Sequence, residues 1–368
     1  MLLGIPTETK ERECRVAITP DVCGQLVKAG FQVSVQAGAG LKSYYADDQY
    51  IAAGANLEGD AAAIYNRSDV VLKVNAPTAA EIGLMKKGAS LISFMWAATN
   101  PEFVDACVKQ GINAFSMDAI PRISRAQKMD ALSSQANLAG YKSVIMGANA
   151  LGKIFPLLMT AAGTIKPSKV VIFGAGVAGL QAIATAKRLN TIVEVTDIRP
   201  ETKEQVESLG GKFITVKGDA SIKIEGGYVK GVSEDFLKQQ QELVSKHVAE
   251  ADLVITTALI PGRKAPVLVT EEMVKKMRFG SVIVDMAVEQ GGNCVLSELN
   301  QTVVKHGVTI IGEANIPSLL PLNASDLYAK NVQTFLLHLA TKDGFKWEME
   351  EEITKGALVV YDGVSRLK

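Results

Sequence analysis

The stretch Lys169-Val-Val-Ile-Phe-Gly-Ala-Gly-Val-Ala-Gly179, answered by Thr191-Ile-Val-Glu-Val-Thr-Asp197, decides the reading of this chain. An apolar, β-branched run enters a turn with glycines at 174, 176 and 179, and an alanine-rich helix, Leu180 to Leu189, leaves it. A second apolar strand then ends on a carboxylate. A dinucleotide requires this layout: Gly174 permits the tight turn, Gly176 lets the backbone approach a pyrophosphate, and Gly179 lets the helix pack on its strand. The phosphates would meet free N–H groups at the helix start. Asp197 would accept hydrogen bonds from the adenosine ribose and repel a 2′-phosphate, so NAD(H) is expected over NADP(H). Arg199, two residues on, reads as a solvated loop cation rather than a ligand of such a phosphate.

The 368 residues suffice for about two domains, each with an adequate core. Lys plus Arg and Asp plus Glu both number 39, and no basic stripe gives an electrostatic case for nucleic acid. Cysteines 14, 23, 107 and 294 lack CxxC spacing, which suggests neither a disulfide frame nor a zinc site. The start turns polar after five residues, unlike a signal peptide. No apolar run approaches the ~20 residues that span a bilayer. A soluble chain is expected, able to work at a membrane only through a partner.

Short β-rich runs alternate with amphipathic stretches from the beginning: Leu2–Pro6, Gln32–Gln36, Val70–Val74, Ser90–Phe94 and Asn113–Met117, with helices such as Pro20–Ala29 and Pro101–Gln110 between them. Alternation of this kind predicts parallel βαβ units and an open α/β sheet. A long helical segment is expected from about Asp130 to Leu158, then a loop, Ala161–Ser168. After the nucleotide motif come strands at Lys212–Val216, Leu253–Thr257, Ser281–Met286 and Val308–Gly312. A second long helix, Ser325 to Thr341, leads to a tail read as edge strands, Trp347–Ile353 and Leu358–Tyr361. The expected architecture is two Rossmann-like open parallel-sheet domains joined by two long helices, with a cleft between them for the nicotinamide ring. Residues 1–135 and 326–368 would form a discontinuous first domain, and 136–325 the nucleotide domain. The glycine-rich insertion Gly218–Gly231 reads as a lid or a connector ahead of a polar helix, Glu234–Val248.

Three segments resemble the NAD(H)-binding component of proton-translocating nicotinamide nucleotide transhydrogenases. They are Pro121-Arg-Ile-Ser-Arg-Ala-Gln-Lys-Met-Asp-Ala-Leu-Ser-Ser-Gln-Ala-Asn-Leu-Ala-Gly-Tyr141, Gly174 to Arg188, and Thr256-Thr-Ala-Leu-Ile-Pro-Gly-Arg-Lys-Ala-Pro266. The resemblance covers essentially the whole chain, and the first segment separates this family from its relatives. It implies that Arg122 contacts the cofactor and pairs with Asp130. Gln127 would bond near the nicotinamide ribose, so Arg122, Gln127 and Asp130 form the catalytic set. Ile123, Ser124 and Arg125 would supply loop backbone, and Ser133 would bond the carboxamide. Val177 would sit in the phosphate turn, with Asp197, Ile198 and Arg199 flanking the adenosine. Gly227 and Tyr228 fall in the family's mobile loop, which favours the lid reading, while Gln240 and Leu259 match pocket-lining positions.

The resemblance further implies a homodimer and hydride exchange with NADP(H) on a separate NADP(H)-binding domain. It implies a membrane-embedded proton channel made by other polypeptides, and a peripheral location on the cytoplasmic side of the inner membrane (the matrix side in a eukaryote). Hydride transfer between nicotinamides needs no general acid or base. Accordingly His247, His306 and His338, far from every cofactor motif, are read as non-catalytic, and no metal is expected.

Alanine dehydrogenase, whose pattern shares Arg15-Val-Ala-Ile-Thr-Pro20, is the alternative. That family has a second Lys where this chain has Asn75, a His where Trp96 falls, and an acid where Glu289 stands. Imine chemistry needs such titratable groups. Arg15 and Lys73 remain, Arg15 also being read as the partner of Glu8, Glu11 or Glu13. A module that senses NAD(H) without turnover is the third reading, because a binding motif does not prove chemistry.

Overall fold

A computed structural model describes residues 1–216, 223–225, 228–230, 234–259 and 264–367. The chain divides into two compact units, Met1–Gln135 with Pro317–Lys368, and Ala136–Ile316.

In the first unit, the strands Leu2–Ile5, Gln32–Gln36, Asn56–Glu58, Val70–Leu72, Ser90–Ser93 and Asn113–Ser116 form a parallel sheet. In chain order the arrangement is 6-5-4-1-2-3. Leu358–Tyr361 then adds antiparallel to Asn113–Ser116, and Val364–Ser365 closes that edge. Strands covered on both faces should be apolar throughout, and Val70–Leu72 and Ser90–Ser93 are buried at every residue. Alternate side chains feed different cores: Leu3, Val70, Leu72 and Ile92 pack on one face, Val71, Leu91 and Ala114 on the other. The helix Pro20–Lys28 shows the local logic, with Pro20 at its first turn, Asp21 beside it, Lys28 at its end and Gly30 at φ +92° just beyond.

The second unit repeats the plan. Lys212–Phe213, Ile192–Thr196, Lys169–Phe173, Leu253–Thr256, Val282–Asp285 and Val308–Gly312 lie side by side and parallel, with Gln301–Lys305 antiparallel at the edge. Val170, Ile172, Leu253, Ile255, Val282 and Val284 enter one core, while Val171, Phe173, Val254 and Ile283 enter the other. Each such side chain contributes roughly 1.5–3 kcal/mol when fully buried. Strand order reverses at Lys169–Phe173: Ile192–Thr196 lies on one side of it, and Leu253–Thr256 returns to the other. The crevice at the carboxyl ends there is where open α/β sheets take ligands.

Some elements differ from expectation. The long helix spans Ala131–Ala150 and stops short of Leu158; Gly152 and Pro156 follow, and neither sustains a helix interior. Leu158–Thr160 and Gly163–Ile165 pair as a hairpin where much of the stretch reads as loop. The later long helix begins earlier, at Pro321, and ends at Leu339. Trp347–Ile353 is not an edge strand: Glu351 accepts the Thr354 amide and starts the helix Glu352–Ala357. Within the glycine-rich insertion, Lys223–Glu225 pairs antiparallel with Tyr228–Lys230. The lid reading rests in part on Gly227, which lies outside the described residues.

Candidate functional site

The crevice in the second unit is built from the ends of three strands. Gly174 follows Phe173 with φ +101°, a conformation that a side chain resists, and a Cβ there would collide with the Thr257 hydroxyl. A Cβ on Gly179 would strike the Gly174 carbonyl, so the helix Val177–Arg188 lies as close to the turn as backbone allows. Gly176 faces open space. The amides that open the helix have no carbonyl of an earlier turn to bond, and Lys187 and Arg188 occupy its opposite, carbonyl end. The result is a backbone turn with open space at Gly176 and the free amides of a helix start beside it. This fits the pyrophosphate of a dinucleotide.

Asp197 stands beside this glycine cradle, its side chain 5% exposed. One carboxylate oxygen accepts the Ala175 amide at 2.7 Å, which fastens the strand end to the turn. Arg199 is not a free cation. Its guanidinium bonds both Asp197 oxygens at 3.0 Å, and its amide donates to the same carboxylate at 2.8 Å. Burial pushes the Asp197 carboxyl upward, but the Arg199 and Ala175 donors outweigh it and hold the pKa below the ordinary value. The group is ionised and pre-set as an acceptor. A ribose diol would have to share it with Arg199 or displace that side chain. Ile198 and Val177 are exposed on either side.

Gln240 is spent on the fold: it accepts from the Val216 amide at 3.0 Å and donates to the Ile214 carbonyl at 3.2 Å and Thr196 at 3.3 Å. It thereby fixes the ends of two strands beside Asp197. On the other side, Thr257 donates to the Phe173 carbonyl, and Leu259 is about half exposed. Two residues that sequence reasoning missed support this wall. Asp285 is fully buried and accepts from Thr256, Ala287, Asn293, Cys294 and Ser297. Asn293, also fully buried, bonds the backbone of Ala258 and Pro266. A carboxylate ending an apolar strand, Val282-Ile-Val-Asp285, was the available signal.

In the first unit, Ser124–Met129 forms a 3-10 turn ahead of the helix Ala131–Ala150. Arg122, Ser124, Arg125 and Gln127 are exposed and Ile123 is half-buried. Asp130 does not pair with Arg122. It accepts the Ser133 amide at 2.9 Å and the Ser133 hydroxyl at 2.5 Å, so its side chain caps the helix and Ser133 holds it there. Arg122 has no hydrogen-bonding partner among the described residues, whereas Arg125 pairs with Glu351 at 2.8 Å. Asn331 holds the turn in place through the Lys128 carbonyl and Ser134.

The same unit buries a charged network. Arg15 bonds Glu13 through two nitrogens and Gln135 through a third. Burial would raise the Glu13 carboxyl, but Arg15 and Asn75 outweigh it and hold it at about 2. Lys73 Nζ is buried without a hydrogen bond, 3.6 Å from both Glu8 and Glu81. Burial pushes Glu8 upward despite Lys73. Both cations are thus occupied by the chain's own carboxylates. The three histidines each meet an acid: His247 with Glu194, His306 with Glu271, and His338 with Glu351. Among the described residues no cluster of His, Cys, Asp or Glu is arranged to hold a metal ion.

Comparison with known proteins agrees with this geometry. Residues 4–139 match the N-terminal domain of the model "Alanine dehydrogenase/PNT", and residues 143–367 match its C-terminal domain. The chain belongs to the alanine dehydrogenase/PNT family. Within the family it is 52% identical, over 99% of its own length and 97% of the other, to the first portion of the NAD(P) transhydrogenase alpha subunit of Rhodospirillum rubrum. An alanine dehydrogenase of Methanococcus maripaludis is more distant, 30% identical over 100% of this chain and 96% of that one. Among solved structures, a transhydrogenase from Sinorhizobium meliloti superposes with a TM-score of 0.91 at 44% identity, covering 99% of this chain and 100% of that one. An L-alanine dehydrogenase gives 0.83 at 29%, covering 100% and 97%.

Proposed function

We propose that this family member is the NAD(H)-binding component of a proton-translocating transhydrogenase. It exchanges hydride directly between NAD(H) in its own crevice and NADP(H) carried on a partner domain. The observation that carries the reading is the glycine cradle with an ionised Asp197 beside it at the strand-order reversal. The likeness to transhydrogenase alpha subunits along nearly the whole chain supports it.

The nicotinamide ring, when bound, supplies the carbon that gives or takes hydride. The chain's role is to hold, orient and shield it. The turn at Gly174, Gly176, Val177 and Gly179 receives the pyrophosphate, while Asp197, Ile198, Arg199 and Gln240 border the adenosine end. By likeness to the family, Arg122, Ile123, Ser124, Arg125, Gln127, Asp130 and Ser133 are assigned as contacts of the nicotinamide half of the cofactor, Leu259 as a pocket-lining residue of the second unit, and Gly227 and Tyr228 to the covering loop. Arg122 is free to meet an anionic oxygen, and Gln127 offers both a donor and an acceptor. No proton moves at the reacting carbons, so position should carry the rate. Histidines engaged with structural acids are consistent with that chemistry.

Alanine oxidation would call on Arg15 and Lys73 to bind a carboxylate, but Glu13, Glu8 and Glu81 already neutralise them. Asn75 and Trp96 supply no titratable group. Proton translocation is assigned to a membrane-embedded domain or subunit, with this chain peripheral on the cytoplasmic side; no helix among the described residues is long and apolar enough to cross a membrane. A homodimer is supported by the hairpin Leu158–Ile165, whose paired strands expose every residue, Leu158, Met159 and Ile165 among them.

Side-by-side titration with NADH and NADPH tests the binding half of the proposal. NADH should bind at least tenfold more tightly, and equal affinity would remove Asp197 from the ribose. For the chemistry, Gln127→Asn should slow single-turnover hydride transfer at least tenfold while NADH affinity changes less than threefold. An unchanged rate would exclude Gln127.

A further inference from the structure

We propose that Asn293 is a positioning residue for hydride transfer, acting through the backbone of Ala258 and Leu259. This rests on the function proposed above. Asn293 is completely buried, and its side chain uses both of its donor hydrogens and its carbonyl oxygen on backbone. Its carbonyl oxygen accepts the Ala258 amide at 3.1 Å, and its amide nitrogen donates to the Ala258 carbonyl at 2.9 Å and the Pro266 carbonyl at 2.8 Å. A residue that closes both hydrogen bonds of one peptide position acts like a short strand, fixing its orientation as well as its distance. Ala258 directly follows Thr257, the residue packed over Gly174, so the clamp sets the wall that faces the cradle.

Asn293 is itself held from behind. Its own amide donates to Asp285, and its carbonyl accepts the Leu268 and Val269 amides at 2.8 and 3.0 Å. Asp285 also takes the Thr256 hydroxyl at 3.0 Å, so one buried carboxylate registers the end of the strand and the clamp against each other. Gly291 and Gly292, at φ +93° and +79°, let the chain double back so that this happens. The buried bonds thus tie two backbone segments, at Ala258 and at Pro266, to one side chain. They are what a site needs if a displacement of about 1 Å is to cost rate. Arg199 and Asp197 hold the opposite, adenosine end independently, so affinity and rate should separate.

Asn293→Ala in the full chain, with the NADP(H)-binding domain as reaction partner, tests this. Single-turnover hydride transfer at saturating NADH should fall at least tenfold, while the equilibrium NADH dissociation constant rises less than threefold. Asn293→Ser retains a hydroxyl able to accept from the Ala258 amide and donate to one carbonyl; it should fall between parent and Asn293→Ala in rate, and it carries the test if the alanine variant does not fold. A parent-like rate in either folded variant overturns the proposal, as does a loss of affinity that matches the loss of rate. A parent chain that bound no NADH would instead remove the underlying function, and the inference with it.

Discussion

Asp197 and Arg199 show how much one residue's environment adds to its position in the sequence. The carboxylate is legible at the end of an apolar strand, but its partner reads as a solvated cation, because a two-residue separation does not reveal a bidentate contact. Asp197→Ala should weaken NADH binding by ~1–3 kcal/mol, the usual cost of unpaired buried groups. Calorimetric titration checks this, and unchanged affinity would reassign the ribose. Arg15 is the reverse case, since its pairing with Glu13 is among the alternatives that the nearby acids suggest. Because Glu13 is held at about 2, below an unfolded value of about 4.3, its stabilising share is complete above pH ~4.3 and is lost as pH falls through about 2. Glu13→Gln should therefore melt well below the parent at pH 6, with the gap closing toward pH 2 in thermal scans. A gap independent of pH would contradict the assignment.

At the scale of elements, strands are legible and their partners less so. Val70–Leu72, Leu253–Thr256 and Val282–Asp285 announce themselves as short apolar runs. Asn56–Glu58 and Gln301–Lys305 are edge strands with exposed faces, and their polar composition hides them. Trp347–Ile353 looks like a strand because its aromatic residue packs; the Trp347 ring stacks on Phe345 from a non-strand backbone. Helix ends are uneven in legibility: the start expected near Asp130 falls at Ala131, but the far end stops at Ala150 rather than Leu158, and the later helix starts at Pro321 rather than Ser325. The turn that opens Val177–Arg188 rests on a backbone contact that no methyl can enter. Gly179→Ala should therefore shift the helix off Gly174 and weaken NADH binding at least tenfold, about 1.4 kcal/mol. Circular dichroism should show helix content retained, and parent-like affinity would mean that the turn does not hold the phosphates.

For the whole molecule, two sheets whose six parallel strands share one order arise from one alternation of strand and helix along the chain, which is why the fold class is readable from sequence. The site is less legible because its support is distant in sequence: Asn293 and Asp285 bond Ala258 and Thr256 from 29 to 35 residues away, and only the apolar strand that ends on Asp285 marks either of them. In the proposed reaction this chain presents bound NAD(H) to a nucleotide carried on another polypeptide. The direct measurement is stopped-flow absorbance of the purified chain carrying an oxidised NAD analogue whose reduced form absorbs at a wavelength distinct from NADPH, mixed with an NADPH-loaded partner domain, beside the chain alone with NAD and alanine. Rapid exchange in the mixture and none with alanine is the predicted result. Enzyme-like reduction of NAD by alanine, with no exchange in the mixture, would contradict it.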